Sequence, residues 1–397
     1  MKTTVLQGTG RKYERGAPAR QRSDELAASK PRRADARSPL VLVARPVLLT
    51  LVATALLAGV LGGLLRAGMV LPVIAAPEWL PRAALFHAPL MIGGMMGTVI
   101  GVERAVALKL GWAFVAPFAS GVAALALLFG LRSFGAWLMV AAAGAFCAVN
   151  AVVVRRQPAD HSGLLLLGAL AWLAGSISFA AGGGATLAFW FAFLVLTIGA
   201  ERLEMTRLLP RRPSAQRTLH AILAGLLLGA AVSTVSPGSG GLLFGGALVA
   251  LASWLALHDI ARRTVFAHGL SRYMAICLLG GYGWLGVAGI AWAATALGLD
   301  AHDAALHALG LGFVFSMVLG HAPVIVPAVS RLKVQFGGFF YVPLAVLHLS
   351  LIVRLGFGLH DPVVRSLGAA LNAAALALFV ATVLGSAVVR RARPLPG

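Results

Sequence analysis

The stretch LFHAPLMIGGMMGTVIGVERAVAL, Leu85 to Leu108, is apolar and glycine-rich for most of its length, yet it opens with His87 and closes with Glu103-Arg104. It is long enough to cross a bilayer, which takes about 20 apolar residues. An ionisable side chain inside such a crossing is costly, so it has a partner or a task. The histidine is therefore the residue to explain, and the charged pair reads as the feature that terminates and orients the helix.

Similar apolar runs recur along the chain. Of 397 residues, 59% are hydrophobic and 12% charged, and the mean hydropathy is +0.88. That composition describes an all-α polytopic membrane protein. Charges and breakers delimit twelve spans: 46–65, 84–102, 112–131, 134–154, 163–181, 186–200, 218–236, 241–257, 273–295, 304–330, 338–354 and 364–389. Three regions follow: a polar, basic tail (1–42) with the composition of a disordered segment, a twelve-helix transmembrane domain (43–392) and a short tail (393–397). The tail is too long and too polar to open a cleavable signal peptide.

The net charge of +20 does not point to nucleic acid, because the basic residues sit at span ends and in the tail. With the N-terminus inside, one side holds Arg104/Lys109, Arg155/Arg156, Arg202 to Arg217, Arg262/Arg263/Arg272, Arg331/Lys333 and Arg390/Arg391/Arg393. The other keeps Arg66, Arg82, Arg132, Arg354 and Arg365. The positive-inside rule then places both termini in the cytoplasm of a cell carrying this protein in its inner or plasma membrane.

A period of four helices is visible. Spans 2, 6 and 10 end in GVERAVAL, GAERLEM and AVSRLKV; spans 4, 8 and 12 end in a double arginine; spans 5 and 9 share LGALAWL (Leu167–Leu173) and LGGYGWL (Leu279–Leu285). Three four-helix units are the arrangement this predicts.

Ten histidines are present. His161, His258 and His268 read as loop residues, His220 as the start of a span, and His302 and His360 as outer-loop residues beside Asp303 and Asp361. Four fall within spans: His87, His307, His321 and His348. His87 and His307 each lie near the outer end of a helix and can meet at one level. His321 follows His307 by fourteen residues, about 21 Å along nearly the same helix face, so one small metal cannot reach both.

Two imidazoles from facing helices at one level suit axial ligation of haem b, and Gly93, Gly94, Gly97, Gly101, Gly310 and Gly312 could give the macrocycle a smooth face. Ordinary small-residue helix packing explains the same glycines. A second chemistry is copper: Met91 and Met95 follow His87 at four-residue spacing, Met317 precedes His321 by four, and thioether with imidazole suits Cu(I). His321, with Met317 or His348, would make a second metal or haem contact. Cys147 and Cys277 both fall in apolar runs, which points away from a disulfide framework or iron–sulfur cluster, and the chain has no CxxCH for covalent haem.

FHAPLM in span 2 and ALHALGLGFVFSMVLGHAP in span 10 resemble the NnrS family of haem- and copper-associated membrane proteins. More widely, the topology is similar to the catalytic subunit of haem–copper oxidases, whose twelve helices form three four-helix arcs with low-spin haem ligands on helices 2 and 10. The resemblance implies His87 and His307 as haem ligands and a redox or nitric-oxide-related role with a small gas or redox partner. The chain departs from the oxidases in lacking a histidine pair in spans 6 to 8, where only His220 and His258 stand at the ends, and in having almost no acids within spans. Proton pumping is therefore not expected. The competing reading is a transporter for a small solute or metal ion, supported by twelve spans, the repeats, and Pro323 and Pro327 as breakers of span 10.

Overall fold

A computed structural model describes residues 39–70, 77–205, 213–330 and 334–392. The tail at 1–38, the segment 71–76, the basic segments at 206–212 and 331–333, and the C-terminal 393–397 lie outside the described residues. Of the first unit, Met1–Val43, only 39–43 is described, as helix. The second, Ala44–Gly397, is the membrane domain.

Twelve of its helices are long and apolar enough to cross a membrane: Pro46–Arg66, Pro89–Leu108, Gly111–Leu128, Arg132–Arg156, Asp160–Ala180, Thr186–Met205, Pro213–Val232, Pro237–His258, Gly269–Ala296, His302–Pro327, Gly338–Leu359 and Pro362–Val388. These are spans 1 to 12. The protein is an all-α polytopic membrane protein, and no strand occurs among the described residues.

From span 2 to span 12, consecutive spans lie side by side, and spans 2, 6 and 10 stand innermost. In their most apolar windows, 67%, 78% and 61% of residues are buried, against 33–56% elsewhere. Burial thus has the period of four seen in the sequence. Span 10 touches both span 6 and span 2. A short helix, Trp79–Leu85, leads through Phe86 and His87 into span 2.

Two irregularities shape the inner helices. Pro89–Gly97 in span 2 and Ala308–Phe315 in span 10 are π-helical. Each follows within two residues of a histidine, His87 and His307. A wider turn leaves carbonyls off the α-helical ladder, and such segments concentrate at functional sites. Here hydroxyls meet those carbonyls: Thr98 Oγ1 donates to Gly94 O at 2.6 Å, Ser316 Oγ to Gly312 O at 2.6 Å, and Ser120 Oγ of span 3 to Gly93 O at 2.7 Å. Span 10 is not broken at its prolines, contrary to the sequence expectation. Ser316–Ser330 remains helical through Pro323 and Pro327, and the irregular segment lies before them.

Glycines let neighbouring spans approach closely. Spans 8 and 9 cross at Gly245 and Gly289, where a Cβ on either would stand 2.6 Å from the other's carbonyl oxygen. Backbone cannot yield as a flexible side chain can. Gly245→Val should therefore destabilise the protein by about 1–3 kcal/mol through forced separation of the two helices. Gly246→Val, one residue on and with nothing within 4 Å of an added Cβ, should leave the melting temperature in detergent close to wild type.

Candidate functional site

His87 and His307 come together. Their ring centroids are 6.2 Å apart with planes 27° from parallel, and both line one cavity of about 870 Å³, part of which is open. The cavity wall is mostly aliphatic and aromatic, with Met91, Met95 and Met96 from span 2 and Phe191 and Leu194 from span 6. Its polar lining side chains are His87, His307, Arg354 and Asn372.

Each imidazole is held at the same nitrogen. His87 Nδ1 lies 2.7 Å from Gly59 O of span 1. His307 Nδ1 lies 3.0 Å from Asp303 O, one turn back in its own helix, and 3.0 Å from Asp303 Oδ1. These oxygens only accept, so Nδ1 of each ring carries the proton and donates it. Nε2 of each is left with a bare lone pair, and among the described residues neither Nε2 has a hydrogen-bond partner. A neutral imidazole in that state has one lone pair with which it can accept a hydrogen bond or ligate a metal.

Behind His307 stands a chain of polar side chains that crosses three spans. Arg354 NH2 donates to Asp303 Oδ1 at 2.7 Å and its Nε to Oδ2 at 3.0 Å. Arg354 NH1 reaches Asn372 Oδ1 at 3.4 Å, and Asn372 Nδ2 donates to Ser350 Oγ at 2.6 Å. Arg354 is only 8% exposed. It sits in a π-helical turn, Ile352–Gly356, against Gly368 of span 12, where a Cβ would come within 2.6 Å of Arg354 Cα. The sequence reading took Arg354 as a basic residue of the outer face and Asp303 as a loop acid. Both are parts of the site. The i, i+4 spacing of Asp303 and His307 is the signal that identifies the acid.

His321, His348 and Met317 are not brought to this cavity. His321 Nδ1 lies 2.8 Å from Met317 O, and its Nε2 accepts from Arg202 at 2.9 Å. His348 Nδ1 accepts from Trp284 Nε1 at 2.8 Å, and its Nε2 faces Ser316 Oγ at 3.4 Å. Met317 is buried against Gly281. Both nitrogens of His321 and of His348 thus have protein partners, and the second metal contact expected from the sequence finds no bare donor there. Met91, by contrast, does line the cavity with His87.

The glycines divide in the same way. A Cβ at Gly93, Gly94, Gly97 or Gly101 would meet Met139, Ala124, Trp172 or Pro117, and one at Gly312 would meet Trp284. These serve helix packing. Gly310 does line the cavity, with Phe191 no closer than 3.8 Å to an added Cβ.

At the other end of the inner helices, Arg104 NH2 donates to Glu201 of span 6 at 2.8 Å and lies 3.5 Å from Glu103. Span 2 continues past this pair to Leu108 and ends at Lys109, the one described non-glycine residue with positive φ, 57°. Glu103-Arg104 therefore does not terminate the helix; it joins span 2 to span 6. Among the remaining histidines, His161 is 8% exposed rather than solvated, and His258 stacks on Trp254 at 4.8 Å.

Fold and site together define a twelve-span helical membrane protein with a paired-imidazole cavity between its inner helices. The chain belongs to the family described as Domain of unknown function (DUF8744), whose model matches residues 45–388. No curated protein and no solved structure matches it. Among the described residues no three of His, Cys, Asp and Glu converge as a metal-binding group, so the cavity offers a pair of imidazoles rather than a cage.

The Asp303–Arg354 pair, buried on the arginine side and half-buried on the carboxylate side, is the electrostatic joint of the site. Arg354→Met should lower stability by about 1–2 kcal/mol, because Asp303 loses two charge-assisted bonds. Thermal unfolding in detergent measures this. The double variant Asp303→Leu/Arg354→Met should lose less than the sum of the two single variants.

Proposed function

We propose that this protein binds haem b between His87 and His307 and has a redox or nitric-oxide-related role in the membrane. The observation that supports it is the pair of imidazoles facing one apolar cavity, each protonated at Nδ1 and bare at Nε2. The two ring centroids are 6.2 Å apart on one cavity, close enough for a single bound group to meet both rings. The apolar wall suits a hydrophobic group, and Gly310 leaves the helix surface beside His307 open.

Haem held there would supply one-electron chemistry and affinity for small neutral gases. His87 and His307 would offer Nε2 lone pairs to hold it, with Gly59 O and Asp303 O fixing the ring orientations and the apolar wall excluding water. The reading agrees with the resemblance to NnrS proteins and to the oxidase arrangement of ligands on helices 2 and 10, without that enzyme's copper histidines.

Copper(I) is the second reading, favoured by the thioethers of Met91, Met95 and Met96 on the same cavity wall. A transporter would use the cavity as a substrate path instead. A dithionite-reduced minus oxidised spectrum of the detergent-purified protein, with haem measured as its pyridine complex, separates the three. The expected result is a sharp b-type α-band at about one haem per chain, lost in the double variant His87→Ala/His307→Ala. Colourless protein from haem-replete cells would overturn the reading; copper by metal analysis would then favour the second, and neither would favour transport.

The distribution of arginine and lysine supports an orientation with both termini cytoplasmic and the imidazole cavity in the outer half of the bilayer. Reporter fusions at Gly182 and at Gly298 should then register as external, and one after Arg156 as internal.

A further inference from the structure

The two imidazoles have the same tautomer but are not held alike. His307 Nδ1 donates to the carbonyl of Asp303 in its own helix at 3.0 Å, and the carboxylate of the same residue stands 3.0 Å from that nitrogen. That carboxylate is gripped in turn by two nitrogens of Arg354 at 2.7 and 3.0 Å. Arg354 is tied to Asn372 and through it to Ser350. Spans 10, 11 and 12 therefore converge on one ring. A carboxylate beside Nδ1–H makes the opposite nitrogen a stronger donor, and the Arg354 bonds that hold that carboxylate are charge-assisted, roughly twice as strong as neutral ones.

His87 has a single partner, the neutral carbonyl of Gly59 at 2.7 Å. That carbonyl belongs to span 1, a peripheral helix with 33% of its apolar window buried. The ring also rests against Gly63 of the same span, where a Cβ would come within 2.8 Å of Cε1. No acid backs it. The cavity beside it is aliphatic and thioether in character, and Arg354 on its wall is already paired with Asp303. A neutral small molecule can be accommodated there without desolvating a charge.

Resting on the haem reading above, we propose that His307 is the permanent axial donor and His87 the exchangeable one, with Asp303 and Arg354 as positioning residues. Exchange admits a neutral two-electron donor of diatomic size at the His87 position. In that exchange the bond from His87 Nε2 breaks, its lone pair returns to the ring, and the incoming molecule's lone pair takes its place. No proton or electron is transferred.

The test compares wild type, His87→Gly, His307→Gly and Asp303→Asn, each purified in detergent and checked as folded by gel filtration. Haem content and the carbon monoxide difference spectrum of the reduced protein are recorded for each, with and without added imidazole. His87→Gly should keep near wild-type haem, bind carbon monoxide readily, and regain the wild-type spectrum with imidazole. His307→Gly should lose haem by at least about tenfold. Asp303→Asn should keep haem but raise its midpoint potential, because removing the carboxylate weakens donation to the oxidised metal.

Equal loss in both histidine variants, or loss only in His87→Gly, would overturn the assignment. If His307→Gly does not fold, Asp303→Asn decides: a midpoint potential unchanged from wild type would overturn it. A wild-type protein without haem is a different failure, since it removes the reading beneath the proposal and leaves all four proteins alike.

Discussion

Inside a bilayer, polar groups have no water to fall back on, so each must find its partner within the protein. That constraint organises the interior of this molecule. Ser120, Thr98 and Ser316 supply hydroxyls to carbonyls of π-helical turns. Arg104 finds Glu201, Arg354 finds Asp303, and Asn372 bridges Arg354 to Ser350. The π-helical segments are local departures from the α-helical ladder, placed directly after His87 and His307, where they set the start of each inner helix against the cavity. Their recurrence in spans 2 and 10, each closed by a hydroxyl residue, gives the two halves of the site matching local construction.

The period of four has a physical content beyond resemblance. Spans 2, 6 and 10 are the most buried, and the basic residue near the end of each of the first two reaches toward the next: Arg104 to Glu201 of span 6, and Arg202 to His321 of span 10. The recurring Glu-Arg of the sequence is thus a fastening between successive inner helices. Positive-inside sorting accounts for a basic residue at such an end, but not for its burial: Arg202 is 4% exposed. A charge held in the interior at that depth is there for its partners.

Span positions were legible because apolar runs and charges act locally and need no knowledge of neighbours. Boundaries agree within a few residues for most spans, and the largest difference, in span 2, has a clear cause. Glu103-Arg104 looked like a helix end because charge normally marks the membrane surface, whereas the pair is shielded by Glu201 and the helix runs on to Lys109. The burial of Arg354 was missed for the same reason. A charged residue in an apolar run reads as surface until its counter-ion, 51 residues away in Asp303, is seen. The glycines near His87 show the complementary limit: their spacing announced close approach, but only the fold tells that Met139, Trp172 and Pro117 approach them, rather than a cofactor.

The four intramembrane histidines make the same point about chemistry. Sequence ranks them by depth alone, which brings His87 and His307 to one level but leaves His321 and His348 as candidates of similar weight. What separates them is the second nitrogen. Arg202 occupies Nε2 of His321, and Trp284 and Ser316 take both nitrogens of His348. These two rings connect helices, and their lone pairs are spent on protein donors. His87 and His307 each use Nδ1 for a bond to a carbonyl, line one largely apolar cavity, and have no hydrogen-bond partner for Nε2 among the described residues. The pairing of one bonded and one unpartnered nitrogen, repeated in two rings 6.2 Å apart, is what sets His87 and His307 apart from His321 and His348.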